Sequence, residues 1–194
     1  MTKKELRKEM KQKLQALPKE QFKAEGVLAA KRLVSTGLWK KYDKVLIYLS
    51  MPDELDTSAL LEAAFREGKE VYAPKVESDT GMRFFRVTPD SSSWVVGAFD
   101  IREPAGKEAD VFQFSSGPVL VISPGLAFDR SGKRMGRGKG FYDRFYEKLF
   151  NESPDSKICA LCMSNAIVND VPTDQYDRAV NAICTKDEFI EVEA

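Results

Sequence analysis

The sequence predicts an α/β fold, with a mainly parallel sheet and helices on both faces. Two stretches carry this reading. The first is KVLIYLS (44–50), TSALLEAAFREG (57–68) and EVYAPKV (70–76), a strand–helix–strand unit. Such a unit joins parallel strands, because the crossover helix returns the chain to the same end. The second is VLVISP (119–124), the most apolar strand candidate, which feeds a glycine-rich loop and then the amphipathic helix FYDRFYEKLF (141–150). No linker-like stretch divides the 194 residues, and that length suffices for a real core. A single α/β domain over 1–194 is therefore expected.

The remaining elements follow in order. Thr2 and Glu5 fit a capping box, and Leu6, Met10, Leu14 and Leu17 recur at helical spacing. A basic first helix over 2–16 is expected to lie on the domain. Pro18 suits the first turn of a second helix, Phe22, Ala29 and Leu33 mark its apolar side, and Gly37 is its expected end. Asp56 or Thr57 is the expected N-cap of the 57–68 helix, with Gly68 at its C-terminus. MRFFRV (82–87) reads as a strand, and 88–118 as a long connection carrying short strands. SKICALCM (156–163) and AVNAICT (179–185) complete the expected strands.

Composition narrows the chemistry. Lys plus Arg number 30 and Asp plus Glu number 30, so the overall field favours neither nucleic acid nor an anionic membrane. No apolar run is long enough to span a bilayer. MTKKELRKEMKQKL lacks the apolar centre of a secretory signal, which makes a cytoplasmic location the expectation. There is no histidine. Triads with a histidine base and HExxH zinc sites are thereby excluded, and chemistry falls to carboxylates, Lys, Arg, Tyr, backbone amides or an oxygen-bound metal. Cys159 and Cys162 form a CxxC inside KICALCM. Residues three apart on a strand point to opposite faces, so these thiols read as buried packing groups.

RMGRGKGFYDR (134–144) is the most unusual stretch, with Gly136, Gly138 and Gly140 alternating with Arg137 and Lys139. Glycine loses the most entropy on folding, so the cluster requires a reason. It lies after a strand and before a helix, where α/β folds place ligands and where unpaired N–H groups suit phosphate. Arg134, Arg137 and Lys139 add full charges. Neither the Walker A pattern nor G-x-G-x-x-G fits, because Gly140 follows Lys139 and residue 141 is Phe. Asp143, in the next helical turn, reads equally as a Mg2+ ligand beside phosphates or as a helix-dipole partner. From the residues alone, another ATP-using kinase or transferase, or a non-catalytic nucleotide- or nucleic-acid-binding module, stays open.

PGLAFDRSGKRMGRGKGFYDRFY resembles the signature of the 5-formyltetrahydrofolate cyclo-ligase family, also called 5,10-methenyltetrahydrofolate synthetases. KKELRKEM, YLSMPDELDT, IREP and VPTDQYDRAVNAICT extend the likeness along the chain. The resemblance implies a NagB/ribose-5-phosphate-isomerase-like (Rossmann-like) fold. It implies ATP- and Mg2+-dependent closure of 5-formyltetrahydrofolate (folinate) to 5,10-methenyltetrahydrofolate, releasing ADP and phosphate by way of a phosphorylated iminium.

Carried over residue by residue, ATP contacts fall on Lys3, Arg7, Arg134, Met135, Gly136, Arg137, Gly138, Lys139, Gly140, Phe141 and Tyr142, with Arg137 and Lys139 on the transferred phosphoryl group. Folate contacts fall on Leu49, Met51, Glu54 and Phe141, and metal ligands on Asp143 and Asp177. The first aromatic after the loop is usually Tyr in this family, so Phe141 keeps a ring contact and loses any hydroxyl contact. Lys3 and Arg7 are four apart on one helix face, as a solvated basic helix would also place them. Trp94 and Tyr176 are left between cleft-lining and packing roles. The expected partners are small molecules, with no nucleic acid and no membrane.

Overall fold

The computed structural model describes residues 1–79, 81–96 and 102–192. Ile101 of the IREP element and the final residues of the expected 1–194 domain fall outside these. The chain opens with α1 (Lys3–Gln15), α2 (Lys19–Ser35) and the short α3 (Gly37–Lys41). β1 (Lys44–Ile47), α4 (Ser58–Arg66), β2 (Glu70–Val76) and β3 (Met82–Val87) follow. A hairpin, β4 (Trp94–Val96) with β5 (Arg102–Pro104), precedes β6 (Leu120–Ser123). A second small hairpin, β7 (Ala127–Phe128) with β8 (Arg134–Met135), leads into α5 (Phe141–Glu152). The chain closes with β9 (Lys157–Leu161), β10 (Ala182–Cys184) and β11 (Phe189–Glu191).

The main sheet runs β11-β10-β9-β6-β1-β2-β3. Strands β2, β1, β6, β9 and β10 are mutually parallel, and β3 and β11 pair antiparallel at the two edges. Val45, Leu46, Ile47, Leu120, Val121 and Ile122 are fully buried, as continuous apolar runs covered on both faces should be. From β1 the chain crosses to β2 on one side, and from β6 it crosses to β9 on the other. Right-handed crossovers in opposite directions put α4 and α5 on opposite faces. They also open a crevice between the C-terminal ends of β1 and β6, where such folds bind ligands.

The helix ends show local chemistry at work. Thr2 and Glu5 form the reciprocal capping box of α1, and Leu6, Met10 and Leu14 are its buried side. Pro18 is the N-cap of α2 and not its first helical residue. Gly37 does not end α2: Thr36 does, and the Thr36 side chain also caps α3. At α4, the Asp56 carboxylate accepts from Ser58 N, while the Thr57 hydroxyl donates to the Tyr48 carbonyl. KVLIYLS is strand only as far as Ile47, and Tyr48 to Ser50 lie beyond the ladder. β11 is an edge strand that the sequence reading omits; its half-exposed Phe189 and Ile190 give too short an apolar signal. The stretch after β6, read from the sequence as loop alone, also carries the β7–β8 hairpin.

Candidate active site

A cleft of about 900 Å³ opens at the crevice between β1 and β6. The glycine loop and the start of α5 form one wall, α1 and residues 174–178 another, and the β1–α4 turn with β2 and β3 a third. All residues to which the resemblance assigns ATP, folate or metal contacts lie along it, from Lys3 and Arg7 to Asp177.

Two kinds of glycine build the loop. Gly138 and Gly140 have φ of +104° and +67°, which side-chain-bearing residues rarely adopt. Gly140 is the N-cap of α5 and supplies no side-chain acceptor, so the first-turn N–H groups are left without a side-chain cap. Gly136 serves close approach: its carbonyl accepts from Arg7 Nε at 3.1 Å, and a Cβ there would lie 3.2 Å from Arg134 Nη1. Gly125, at the end of β6, is hemmed in likewise, since a Cβ would meet the Phe128 ring at 2.5 Å.

Arg134 sits at the loop's closed end. Its side chain is 3% exposed, and Nη2 donates to Asp143 Oδ1 at 2.6 Å and Nη1 to the Pro124 carbonyl at 3.2 Å. The Tyr142 and Tyr146 rings lie 5.8 Å and 5.5 Å from the guanidinium. Burial opposes its charge, but the Tyr146 oxygen and the Asp143 carboxylate more than offset this, and its pKa is raised. Tyr146 is buried and donates to Ser123 Oγ at 2.6 Å; burial pushes its own pKa up to about 12.

Arg137 lies across the open part of the cleft, held by the β1–α4 turn. Nη1 and Nη2 donate to Asp53 at 3.2 Å and 2.6 Å, and Nε donates to Glu54 at 2.8 Å. The turn itself is firm. Met51 N donates to Glu54 Oε2 at 3.0 Å, Glu54 N to the Met51 carbonyl at 3.0 Å, and the Tyr48 hydroxyl to the Leu55 carbonyl at 3.0 Å. Lys139 is exposed and, among the described residues, forms no ion pair.

Helix α1 staples two walls together. Arg7 reaches the glycine loop, and Lys3 bonds Asp177 and, at 2.6 Å, Asp174. Burial works against the Lys3 charge, yet the two carboxylates raise its pKa. The third wall is largely apolar, with Leu49, Met51, Pro74, Val76 and Met82 along it, and the first wall adds the Phe141 ring.

A family model for the 5-formyltetrahydrofolate cyclo-ligase family matches residues 1–186. The chain belongs to the 5-formyltetrahydrofolate cyclo-ligase family. It is 32% identical to the 5-formyltetrahydrofolate cyclo-ligase of Escherichia coli K12, over 91% of this chain and 96% of that one. It is 30% identical to a probable 5-formyltetrahydrofolate cyclo-ligase of Schizosaccharomyces pombe, covering 86% of each. Its fold matches the 5,10-methenyltetrahydrofolate synthetase structure from Aquifex aeolicus with a TM-score of 0.76 at 29% identity, over 100% of this chain and 94% of that one. Members of the cyclo-ligase family are enzymes that convert 5-formyltetrahydrofolate to 5,10-methenyltetrahydrofolate with ATP as co-substrate, and the chain carries that activity.

As a cyclo-ligase, the chain offers a particular donor set for a metal ion. Among the described residues no group of three or more His, Cys, Asp or Glu is placed to hold one. Asp143 and Asp177 both line the cleft, and each is already paired, with Arg134 and Lys3 respectively. Mg2+ commonly takes one or two carboxylates and completes its shell with substrate phosphates and water. The residues therefore fit an ion that arrives with a nucleotide, and not one held by the protein alone.

The sequence reading missed several residues that line the cleft or hold those that do. Asp53 and Asp174 are signalled only by partners far along the chain, 84 residues away for Arg137 and 171 for Lys3. Pro74, Val76 and Met82 read as ordinary strand positions, and nothing local marks them as cleft wall. Tyr176 lines the cleft and is 73% exposed. Trp94 does not line it: the ring packs against the core, and Nε1 donates to the Thr88 carbonyl at 2.8 Å. Cys159, Cys162 and Cys184 are buried free thiols, and burial raises all three pKa values, that of Cys184 to about 12.

Proposed function

We propose that this cleft performs the cyclisation in two stages, phosphorylation of the formyl oxygen of 5-formyltetrahydrofolate by ATP and then closure by N10 with loss of phosphate. Lys3, Arg7, Met135, Gly136, Gly138, Gly140 and Tyr142 hold the nucleotide, together with the uncapped N–H groups of α5. Arg137 and Lys139 meet charge on the transferred phosphoryl group, and Arg134 braces the wall behind them. Leu49, Met51 and Phe141 flank the folate, and the Glu54 carboxylate accepts from pterin N–H groups. Asp143 and Asp177 are the ligands for Mg2+, which when bound neutralises phosphate charge and orients the chain of phosphates. Phosphoryl transfer needs positioning and charge stabilisation more than a titrating base, which suits a chain without histidine. The reaction is proposed to run in the cytoplasm on free small molecules, without nucleic acid.

The observation that carries this reading is the meeting of a cation-rich glycine loop, an uncapped helix start and an apolar wall in one cleft. The test is direct. Folinate with ATP and Mg2+ should give ADP and the methenyl absorbance in equal amounts. Omission of either ATP or Mg2+ should abolish both signals. ADP release without methenyl formation would overturn the proposed coupling of the two stages.

A further inference from the structure

The DE pair in YLSMPDELDT holds Arg137 with two carboxylates, and the reading above uses only one of them. Glu54 takes Nε at 2.8 Å, and Asp53 spans both terminal nitrogens at 3.2 Å and 2.6 Å. A guanidinium has five N–H donors, so three are engaged and two remain. The trio carries two negative charges against one positive. A phosphoryl group nearing Arg137 is therefore repelled while both carboxylates stay in place.

The two carboxylates are not equivalent. Glu54 has a second claimant, since the proposed pterin N–H donors face the same carboxylate. Asp53 grips at two points, the geometry that fixes the plane of a guanidinium as well as its position. Arg137 needs such a hold. Its loop is rich in glycine, its side chain is 26% exposed, and among the described residues Asp53 and Glu54 are its ion-pair partners.

We propose that Asp53 is a positioning residue for the cyclo-ligase reaction: it keeps the Arg137 guanidinium aimed across the cleft while Glu54 turns to the folate. The Nε–H released by Glu54 and the unengaged Nη2 N–H beside it, parallel on one edge of the guanidinium, then face the transferred phosphoryl group. The inference rests on the proposed role of Arg137, and the experiment separates the two.

Asp53→Asn keeps the shape and one acceptor, but sets an N–H donor against an Arg137 N–H. Its kcat should fall about ten- to a hundredfold, the usual cost of a reacting partner displaced by an ångström. KM for folinate should stay within about twofold, since Asp53 is not given to the folate. Asp53→Glu restores a two-oxygen grip and should recover a large part of the loss. In an Arg137→Ala background, Asp53→Asn should cost nothing more, because its whole effect passes through Arg137. Thermal unfolding of each variant reports folding, and Asp53→Ser, with the same expected loss, replaces Asp53→Asn if that variant does not fold. Wild-type kcat in a folded Asp53→Asn, beside a collapsed Arg137→Ala, overturns the role of Asp53 and leaves that of Arg137 standing. Equal further loss in the Arg137→Ala background also overturns it. Full turnover in Arg137→Ala itself removes the phosphoryl role of Arg137, and the inference goes with it.

Discussion

The two ends of the glycine loop hold similar residues in different media. At the closed end Arg134 is buried between Tyr142 and Tyr146, and Asp143, nine residues away, answers its charge. At the open end Arg137 is partly exposed, and its partners come from a different loop 83 and 84 residues away. Three positions separate the arginines. The first is almost wholly buried and answered by one carboxylate; the second is more open and shared by two carboxylates that can exchange. In the proposed reading, one braces the cleft and the other acts within it. Residue type alone does not distinguish them; solvent access and the origin of the counter-charge do.

Mutating the two arginines should break this comparison cleanly. Arg134→Ala removes half of a buried pair and should cost roughly 3–5 kcal/mol of stability. Urea unfolding would show it as a lower midpoint, and the turnover of the folded fraction should fall less than in Arg137→Ala. Arg137→Ala should do the reverse. Turnover should drop by about a hundredfold or more, as when a stabiliser of developing charge is lost. The unfolding midpoint should move less than in Arg134→Ala, because Arg137 is the more exposed guanidinium and the two carboxylates it leaves can turn to solvent. Similar profiles for the two variants would erase the distinction.

A third change sharpens it. Asp129 is buried at the base of the loop and accepts from Ser131 N and Oγ, Lys133 N and Val171 N, tying the loop to Val171, just before the 174–178 wall. Burial pushes its pKa up, but these donors outweigh burial and the net shift is downward. Such a carboxylate stabilises the fold above the ordinary Asp pKa of about 3.9, and that contribution is lost as pH falls through the depressed value. Asp129→Asn should cost about 1–3 kcal/mol near neutral pH. The gap from wild type should close in acid, below about pH 4. A gap that persists unchanged at pH 2 would mean that shape, and not charge, holds the knot.

The smallest effect concerns the CxxC. Buried thiols with raised pKa are poor nucleophiles, so native protein should resist alkylation for as long as it stays folded, and react fully at all three positions in denaturant. Rapid labelling of Cys159 or Cys162 in the native state would reopen a redox reading.

Much was legible before any coordinates. Capping chemistry at Thr2 and Glu5, the runs that became β1, β2, β3, β6, β9 and β10, and the βαβ unit follow from spacing along a few neighbouring residues, because helix and strand periods are local. The glycine loop was also legible as the break ahead of α5, since alternating glycine and cation fits no helix or strand pattern. What the tertiary structure decided is which loops share an edge. The topological switch between β1 and β6 brings Asp53 and Glu54 to Arg137, and α1 brings Lys3 to Asp174 and Asp177. It also set one arginine of the loop at the buried back of the cleft and the other across its opening. Charge pairs over such separations leave no periodic trace in the chain: their strength depends on distance and dielectric in space, and both are set only when the sheet has closed.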